Sequence, residues 1–203
     1  MAVHEWIAER SRDFTALCGR RVESWVGVEM ALRDEGADGL PQFEDPEVPC
    51  LQLLGLQACL DDGGFLSVGT YQDNDTWGLW PRPHLEPRYR DERPSESGFR
   101  SRPLTELATG RVERVTTYLD DGQLAEVRLQ IDTRPLLLIA GELEENWEGG
   151  VRFRWLDESV LAFTDPAAAA HVSRATFRPS LTRLDDAVAP AGTASPRRAR
   201  AGR

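Results

Sequence analysis

An alternation of apolar and polar residues within Leu104 to Thr164 constrains the fold of this chain more than any other feature. From Ala125 to Ile131 every second residue is apolar, and the residues between them are charged or carry amides. A period of two places one face of a strand on a core and the other in water. Arg111 to Leu119 is rich in strand-favouring Val, Thr and Tyr. Asp120-Asp121-Gly122 joins the two segments, and Asp-Gly is a strong hairpin signal because Gly accepts positive φ. The stretch therefore predicts an antiparallel hairpin.

Three further strands are predicted after this hairpin. Leu136 to Ala140 is continuously apolar, as in a strand buried on both faces. Val151 to Trp155 alternates apolar residues with arginine, and Val160 to Phe163 is expected to return after a turn at Leu156 to Ser159. An acidic loop is predicted before Val151, and its glutamates are Glu142, Glu144, Glu145 and Glu148. Five strands with short connections predict an antiparallel meander.

The first half of the chain has a similar pattern. Val3 to Leu17 places apolar residues near helical spacing and predicts a short helix. Arg21 to Met30 and Cys50 to Leu60 are predicted strands, separated by an ordered loop at 33–49. Phe65 to Tyr71 follows an Asp-Asp-Gly-Gly turn and is the predicted hairpin partner of the second strand.

These patterns predict a mainly β (α+β) protein in which two similar antiparallel meanders pack as a sandwich or a curled sheet. A short helix is expected after the last strand, at Pro166 to Val172, with proline in its first turn. The predicted divisions are an N-terminal helix and first β module at 1–80, a Pro/Arg-rich linker or long loop at 81–103, a second β module with the short helix at 104–189, and a disordered basic tail at 190–203.

The charge of the chain limits its partners. The net charge is −10, and removing the four arginines of the last fourteen residues leaves −14. Such a body repels nucleic acid and anionic membranes and attracts a basic protein, although acidic surfaces also serve solubility alone. The 24 basic residues are all arginine, which indicates a GC-rich coding bias and an actinobacterial origin.

Cysteine usage and the N-terminal residues predict a cytoplasmic location. The three cysteines, Cys18, Cys50 and Cys59, are odd in number and lack metal-ligand spacing. Residues 1–10 lack the apolar run of a signal peptide, and no segment approaches the length of a membrane span.

Motifs for catalysis, metals or cofactors are not found, so no catalytic residue, metal ligand or cofactor is predicted. Asp73 to Gly78 begins like a calcium loop, but Trp77 and His84 occupy positions that require oxygen ligands. Asp157-Glu158-Ser159 and Glu142-Glu144 could supply paired carboxylates for acid–base work, but they are interpreted as ordinary turn acids. Cys18 and Cys59 are interpreted as small core hydrophobes.

Two acidic segments that carry tryptophan form the predicted partner-binding surface. They are Asp73 to Trp80 and Glu142 to Trp147, because exposed aromatics beside acids make good interface anchors. An alternative is that the tryptophans cover the open end of the sheet, since Trp is highly buried on average. The candidate residues are Asp73, Asp75, Trp77, Trp80, Glu144, Glu145 and Trp147.

The order of these motifs carries a resemblance over about residues 15 to 165. Gly110-Arg111-Val112 opens a strand, the Asp-Asp-Gly turn and Leu-Leu-Leu-Ile follow, and Asp157 to Leu161 closes the pattern. It resembles small uncharacterised actinobacterial β-rich proteins and the acidic immunity proteins of bacterial polymorphic toxin systems. The resemblance implies a protein that inhibits a toxin by covering its active site with acidic and aromatic side chains.

Three functions follow as hypotheses. The first is a non-enzymatic intracellular binding protein, in its most specific form an immunity protein that neutralises a basic toxin. The second is an enzyme with a carboxylate or thiol site assembled in space. The third is a structural homo-oligomer formed through sheet edges.

Overall fold

The described part of the chain is an antiparallel β structure with two short helices. The computed structural model describes residues 3–36, 38–89, 93–96, 98–146, 150–172 and 181–188. The elements are α1 (Val3–Thr15), β1 (Arg21–Met30), β2 (Leu51–Leu60), β3 (Phe65–Asp73), β4 (Thr76–His84), β5 (Arg93–Glu96), β6 (Phe99–Pro103), β7 (Gly110–Asp120), β8 (Gln123–Ile131), β9 (Arg134–Glu145), β10 (Val151–Phe163), α2 (Pro166–Val172) and β11 (Thr182–Val188). The predicted fold class, including both helices, is confirmed.

Six of the strands close into a ring. The pairings run β1–β2–β10–β9–β8–β7 and return from β7 to β1. Two short ladders join the strands of the first half to those of the second. The β7–β1 ladder has two residue pairs, at Arg21 and Val22, and the β2–β10 ladder has three pairs, at Leu51 to Leu53. The sheet is therefore curled on itself, as one of the two predicted packings requires.

Strands outside the ring extend it at shared edges. One edge of β2 pairs with β10 near the start of β2 and with β3 from Leu56 onward. The two strands therefore share this edge of β2, one after the other. The β3–β4 hairpin then packs against β8, β9 and β10. The helix α1 contacts β4, β7 and β11. Its residue Phe14, and Leu17 just after its end, lie in the core inside the ring.

A second apolar cluster covers the outer side of β9 and β10. Leu137 and Ile139 of β9 contact Leu161 and Phe163 of β10 there. The cluster also includes residues of the segment after β1 and of α2, namely Leu32, Val48, Cys50, Ala168 and Ala169. Leu136 to Ala140 is thus buried on both faces, as its continuous apolar run predicts.

The hairpin turn of β7 and β8 has the predicted chemistry. Asp121 and Gly122 have φ of 45° and 79°, the two consecutive positive values of a type I′ turn. This turn matches the right-handed twist of the flanking strands and sets their register. Among the described residues, no helix is long and apolar enough to cross a membrane.

The predicted linker at 81–103 contains strand instead. Pro81 and Pro83 continue β4 and pair with Val68 and Leu66 of β3, and β6 pairs along β1. Proline is tolerated in β4 because that strand lies at the end of the sheet order, where one side needs no ladder hydrogen bond. The divisions 1–80 and 104–189 stay a prediction, and the predicted tail at 190–203 lies outside the described residues.

Two other predicted connections belong to strands. Glu142, Glu144 and Glu145 lie on β9 rather than in a loop, because cross-strand arginines of β10 oppose the first two. The predicted turn at Leu156 to Ser159 is an interruption inside β10. Trp155 pairs with Gly141 of β9, and Val160 pairs with the preceding residue, Ala140, so the four residues between Trp155 and Val160 have no partner on β9. Leu156, the first of the four, has a positive φ of 53°.

Candidate binding site at the acidic end of the molecule

The tip of the β3–β4 hairpin is bonded to the turn of the β7–β8 hairpin. Gln123 donates from Nε2 to the carboxylate of Asp73 at 3.2 Å, and the Tyr71 hydroxyl donates to Oε1 of the same glutamine. Asn74 takes a φ of 54° at the tip, which Asn tolerates better than most residues. These bonds bring Asp73 to the β7–β8 turn, and Asp75 lies in the adjoining β3–β4 turn.

The interruption in β10 is bonded to both hairpins. Trp155 donates from Nε1 to the carboxylate of Asp120 at 2.6 Å. Thr70 of β3 donates its hydroxyl to the carbonyl oxygen of Glu158. Leu156 anchors the interruption in the core, which leaves the next two residues, Asp157 and Glu158, on the side of the hairpin tips.

The end of β9 adds two glutamates to this region. Glu144 accepts hydrogen bonds from Arg152 at 2.8 Å and from Arg154. Arg154 also pairs with Asp157 at 2.8 Å. The hydrogen bond from Arg154, supported by the one from Arg152, holds the pKa of Glu144 below its usual range. The charge of Glu144 is therefore largely compensated within the molecule.

Glu142 is in the opposite situation. Burial, reinforced by the nearby charges of Asp157, Glu158 and Glu144, raises the pKa of Glu142 to about 7, and Arg154 opposes this only in part. Burial is the largest cause of this shift, and the three neighbouring carboxylates add to it. Strongly perturbed groups of this kind are enriched at functional sites.

We refer to this region as the acidic end. It is formed by the β3–β4, β7–β8 and β9–β10 hairpins, which are joined by the bonds of Gln123, Trp155 and Thr70. Its carboxylates are Asp73, Asp75, Asp120, Asp121, Glu142, Glu144, Asp157 and Glu158.

Three of the predicted partner-binding residues, Asp73, Asp75 and Glu144, lie at the acidic end. Glu145 pairs instead with Arg33, at 3.4 Å, so it faces the segment after β1. Trp147 lies outside the described residues. The acidic part of the two predicted segments is therefore brought together in space, except for Glu145.

The other two predicted tryptophans are half-buried. Trp77 lies opposite Gln72 in the β3–β4 ladder, close to the hairpin tip. Trp80 contacts Trp6 of α1, with ring centroids 6.5 Å apart, and the guanidinium of Arg82 lies 4.3 Å from its ring. Trp80 thus contacts a cation and another aromatic ring, and the acids lie nearer to Trp77.

The sequence did not place the acids of the β7–β8 turn and of the β10 interruption in the predicted partner-binding surface. Asp120-Asp121 and Asp157-Glu158 match ordinary turn chemistry, which hides any second role. The only local signal was the density of acids. Their assembly depends on Trp155 and Gln123, which bridge strands far apart in the chain.

The described residues contain no group of three or more His, Cys, Asp or Glu side chains placed to hold a metal ion. Burial raises the pKa of the Cys50 thiol to about 12. Burial, together with Glu113, also raises the pKa of Cys18. Both shifts disfavour the thiolate that nucleophilic chemistry requires.

The acidic end combines eight carboxylates, of which Glu144 and Asp157 pair with arginines of β10, with a half-buried tryptophan at its border. More carboxylates than paired arginines are thus present, an arrangement that can receive cationic side chains. No protein-family model, curated protein or solved structure matches this chain.

Proposed function

We propose that this chain is a non-enzymatic binding protein that holds a basic protein partner at its acidic end. The observation that supports this most is the assembly of carboxylates from three hairpins, which the bonds of Gln123 and Trp155 hold together. The pKa of Glu142, raised by burial and by its acidic neighbours, is consistent with it. The net charge of −10 favours the same class of partner.

A basic side chain beside Glu142 would reduce the repulsion among its carboxylate neighbours. The positive charge would favour the ionised form of Glu142 and so lower the pKa of this carboxyl in the complex. Charge complementarity of this kind raises the association rate and makes binding sensitive to salt. The fixed geometry of the three hairpins reduces the ordering cost on binding.

In its most specific form, the proposal is an immunity protein that neutralises a basic toxin. The support is the resemblance of Gly110 to Leu161 to acidic immunity proteins, together with the assembly of acids from three hairpins. The cytoplasmic location belongs to this proposal and rests on the sequence alone.

The first test is affinity capture from the lysate of the source organism, with three proteins compared by quantitative mass spectrometry. The test variant combines Asp75→Asn, Glu142→Gln and Glu158→Gln. The matched control combines Glu23→Gln, Glu35→Gln and Glu47→Gln, which removes the same charge from exposed positions elsewhere. We expect a basic protein that the wild type and the control retain at low salt, and that the test variant loses.

The captured protein is then expressed alone and together with the wild type. Growth arrest that the wild type relieves and the test variant does not relieve would support toxin neutralisation. Equal capture by the test variant and the wild type would contradict the site. A captured protein that is acidic, or whose binding is insensitive to salt, would contradict the electrostatic basis.

Glu142 also favours a second candidate function, acid–base catalysis. A carboxyl with a pKa of about 7 beside Asp157 has the properties of a general acid at neutral pH. Under this alternative, a hydrolase substrate screen at neutral pH finds turnover that Glu142→Gln abolishes. Turnover that the variant retains would exclude this site as its source.

A further inference from the structure

A cavity of about 360 Å³ lies between the segment after β1 and the end of β10. Most of its wall is apolar, and the side chains that form this part are Phe43, Pro46, Val48, Cys50, Leu51 and Ala162. Burial raises the pKa of Cys50 to about 12, so this thiol stays neutral and belongs to the apolar wall. A cavity of this size and lining suits a small organic molecule.

The charged side chains that line this cavity are all acidic. They are Glu44, Asp45 and Glu106, and no arginine is among the described residues of the lining. Hydrogen bonds from the Glu47 amide and from Arg33 hold the pKa of Asp45 below its usual range. Burial favours the neutral form of Glu106, but the hydrogen bonds from Arg102 outweigh this effect and lower its pKa. The polar part of the wall therefore consists of ionised carboxylates, which offer only acceptors.

The arginines that pair with the two lining glutamates are shared with a buried acid. Arg100 pairs with Glu44 at 3.0 Å and also with Glu29, which is 2% exposed. Arg102 pairs with Glu106 at 2.5 Å and with the same Glu29 at 2.8 Å. Within these described pairs, two guanidinium groups balance three carboxylates, so one negative charge is left over.

The arginine that pairs with the lining aspartate is shared as well. Arg33 pairs with Asp45 at 2.7 Å and with Glu145 at 3.4 Å. The described ion pairs beside the cavity thus distribute three arginines among five carboxylates. An excess of negative charge therefore borders an apolar cavity whose own charged lining is acidic.

We propose that this cavity binds a small organic cation, in which an ammonium group is attached to an apolar group. The apolar group would leave water against Val48 and Ala162. The ammonium group would donate hydrogen bonds to the carboxylates of Glu44 and Glu106. The same carboxylates would repel an anion of equal size, so the charge of the ligand decides its binding.

Thermal unfolding tests the proposal with three probes that share a phenyl group and differ in charge. They are 2-phenylethylammonium, neutral 2-phenylethanol and anionic 3-phenylpropanoate, with sodium chloride at equal ionic strength as the reference. We expect 2-phenylethylammonium at about 10 mM to raise Tm by about 3 °C or more, the shift for a dissociation constant of about 1 mM. The other two probes should give smaller shifts. Equal shifts for all three, or a shift no larger than in sodium chloride, would overturn the proposal.

A charge variant tests the role of the lining glutamates. The test variant is Glu44→Gln, Glu106→Gln, and the matched control is Glu23→Gln, Glu35→Gln, which removes the same charge from exposed positions outside the lining. We expect the response of the test variant to 2-phenylethylammonium to fall to that of the neutral probe. The control should respond like the wild type. A full response in the test variant would contradict the assigned carboxylates.

Nuclear Overhauser effects give a second readout in the unaltered protein. With 2-phenylethylammonium bound, we expect contacts between the protons of its ring and the methyl groups of Val48, Leu51 and Ala162, which line the cavity. Contacts only with methyl groups elsewhere in the protein would overturn the assignment of the cavity. This measurement does not depend on the folding of any variant.

This site is independent of the proposed function. No residue of the acidic end is among the described residues that line the cavity. The variant Asp75→Asn, Glu142→Gln, Glu158→Gln should therefore keep the response to 2-phenylethylammonium. The variant Glu44→Gln, Glu106→Gln should still capture the basic protein partner. Either proposal can fail without the other.

Discussion

At the scale of single residues, Glu142 makes the stability of the fold depend on pH. Its pKa in the folded protein is about 7, above the ordinary value of 4.5. The folded state therefore binds the proton more tightly than the unfolded state. The stabilisation is complete below the unfolded pKa and is lost as the pH rises through about 7.

We predict that Glu142→Gln flattens this dependence. Between about pH 5 and about pH 8 the wild type should lose about 1–2 kcal/mol that the variant keeps. Urea unfolding across this range measures the effect, with Glu47→Gln as an exposed control. A variant with the same slope as the wild type would show that Glu142 titrates normally. Asp157, Glu158, Glu144 and Arg154 face Glu142, so salt should reduce the slope.

Two glycines on strands differ sharply in the space beside them. A Cβ at Gly141 would lie 2.7 Å from the Arg154 carbonyl oxygen and 2.9 Å from the Phe153 ring, whereas the nearest atom at Gly69 is 3.7 Å away. We predict that Gly141→Ala lowers the free energy of unfolding by about 1–3 kcal/mol, because the added methyl group would have to displace both a backbone carbonyl and a packed ring. Gly69→Ala should be neutral or stabilising by up to about 1 kcal/mol. Chemical denaturation measures the free energy of unfolding of both variants. Equal losses for the two would contradict the close packing at Gly141.

At the scale of elements, β6 is attached to β1 by a buried carboxylate as well as by its ladder. Glu29 is 2% exposed and accepts two hydrogen bonds of 2.8 Å from Arg102 and another from Arg100. Removing one partner of a buried ion cluster leaves an uncompensated charge. The resulting loss in the free energy of unfolding is larger than the net stabilisation that the intact cluster provides.

We predict that Glu29→Gln lowers the free energy of unfolding by about 3–5 kcal/mol. Glu44→Gln is the matched control, since that side chain also pairs with Arg100 but is 76% exposed. Its loss should be below about 1 kcal/mol. Thermal and urea unfolding measure both, and a small loss for Glu29→Gln would mean that water reaches the two arginines.

The sequence predicted well those strands and turns that depend only on residues close together in the chain. The bounds of β1 agree with the predicted Arg21 to Met30, and the Asp121-Gly122 turn has the expected positive φ values. Pro81 and Pro83 led to the prediction of a linker because proline is unfavourable in most strands. Proline fits in β4 because β4 is an edge strand, and only the complete sheet determines that position. The length of β9 depends similarly on arginines of β10 that oppose its glutamates.

At the scale of the whole molecule, the ring mixes strands of both predicted modules. β1 and β2 come from the first and β7 to β10 from the second, and Leu53 and Leu56 share one core with Leu136 and Leu138. We predict that residues 104–189 alone do not unfold cooperatively, because this core would be exposed. Calorimetry and amide NMR dispersion of the fragment provide the measurement. Adding residues 1–103 should restore folding, and a cooperative isolated fragment would contradict the shared core.

The acidic end arises only at this scale. The sequence pointed to Asp73, Asp75 and Glu144 because acids and tryptophans cluster there. It did not identify Asp120 and Glu158, because the contacts that bring the three hairpins together are between residues distant in the chain. Periodicity and turn chemistry describe neighbours along a strand, whereas this site depends on ring closure.

The two short ladders that join the halves of the ring also have a mechanical consequence. The β7–β1 and β2–β10 ladders have two and three residue pairs, fewer than the other ladders of the ring. A stretching force applied between the halves therefore meets few backbone hydrogen bonds along these two lines. Under tension the molecule should tear there first, with β1–β2 leaving as one piece and the β7–β10 meander as the other.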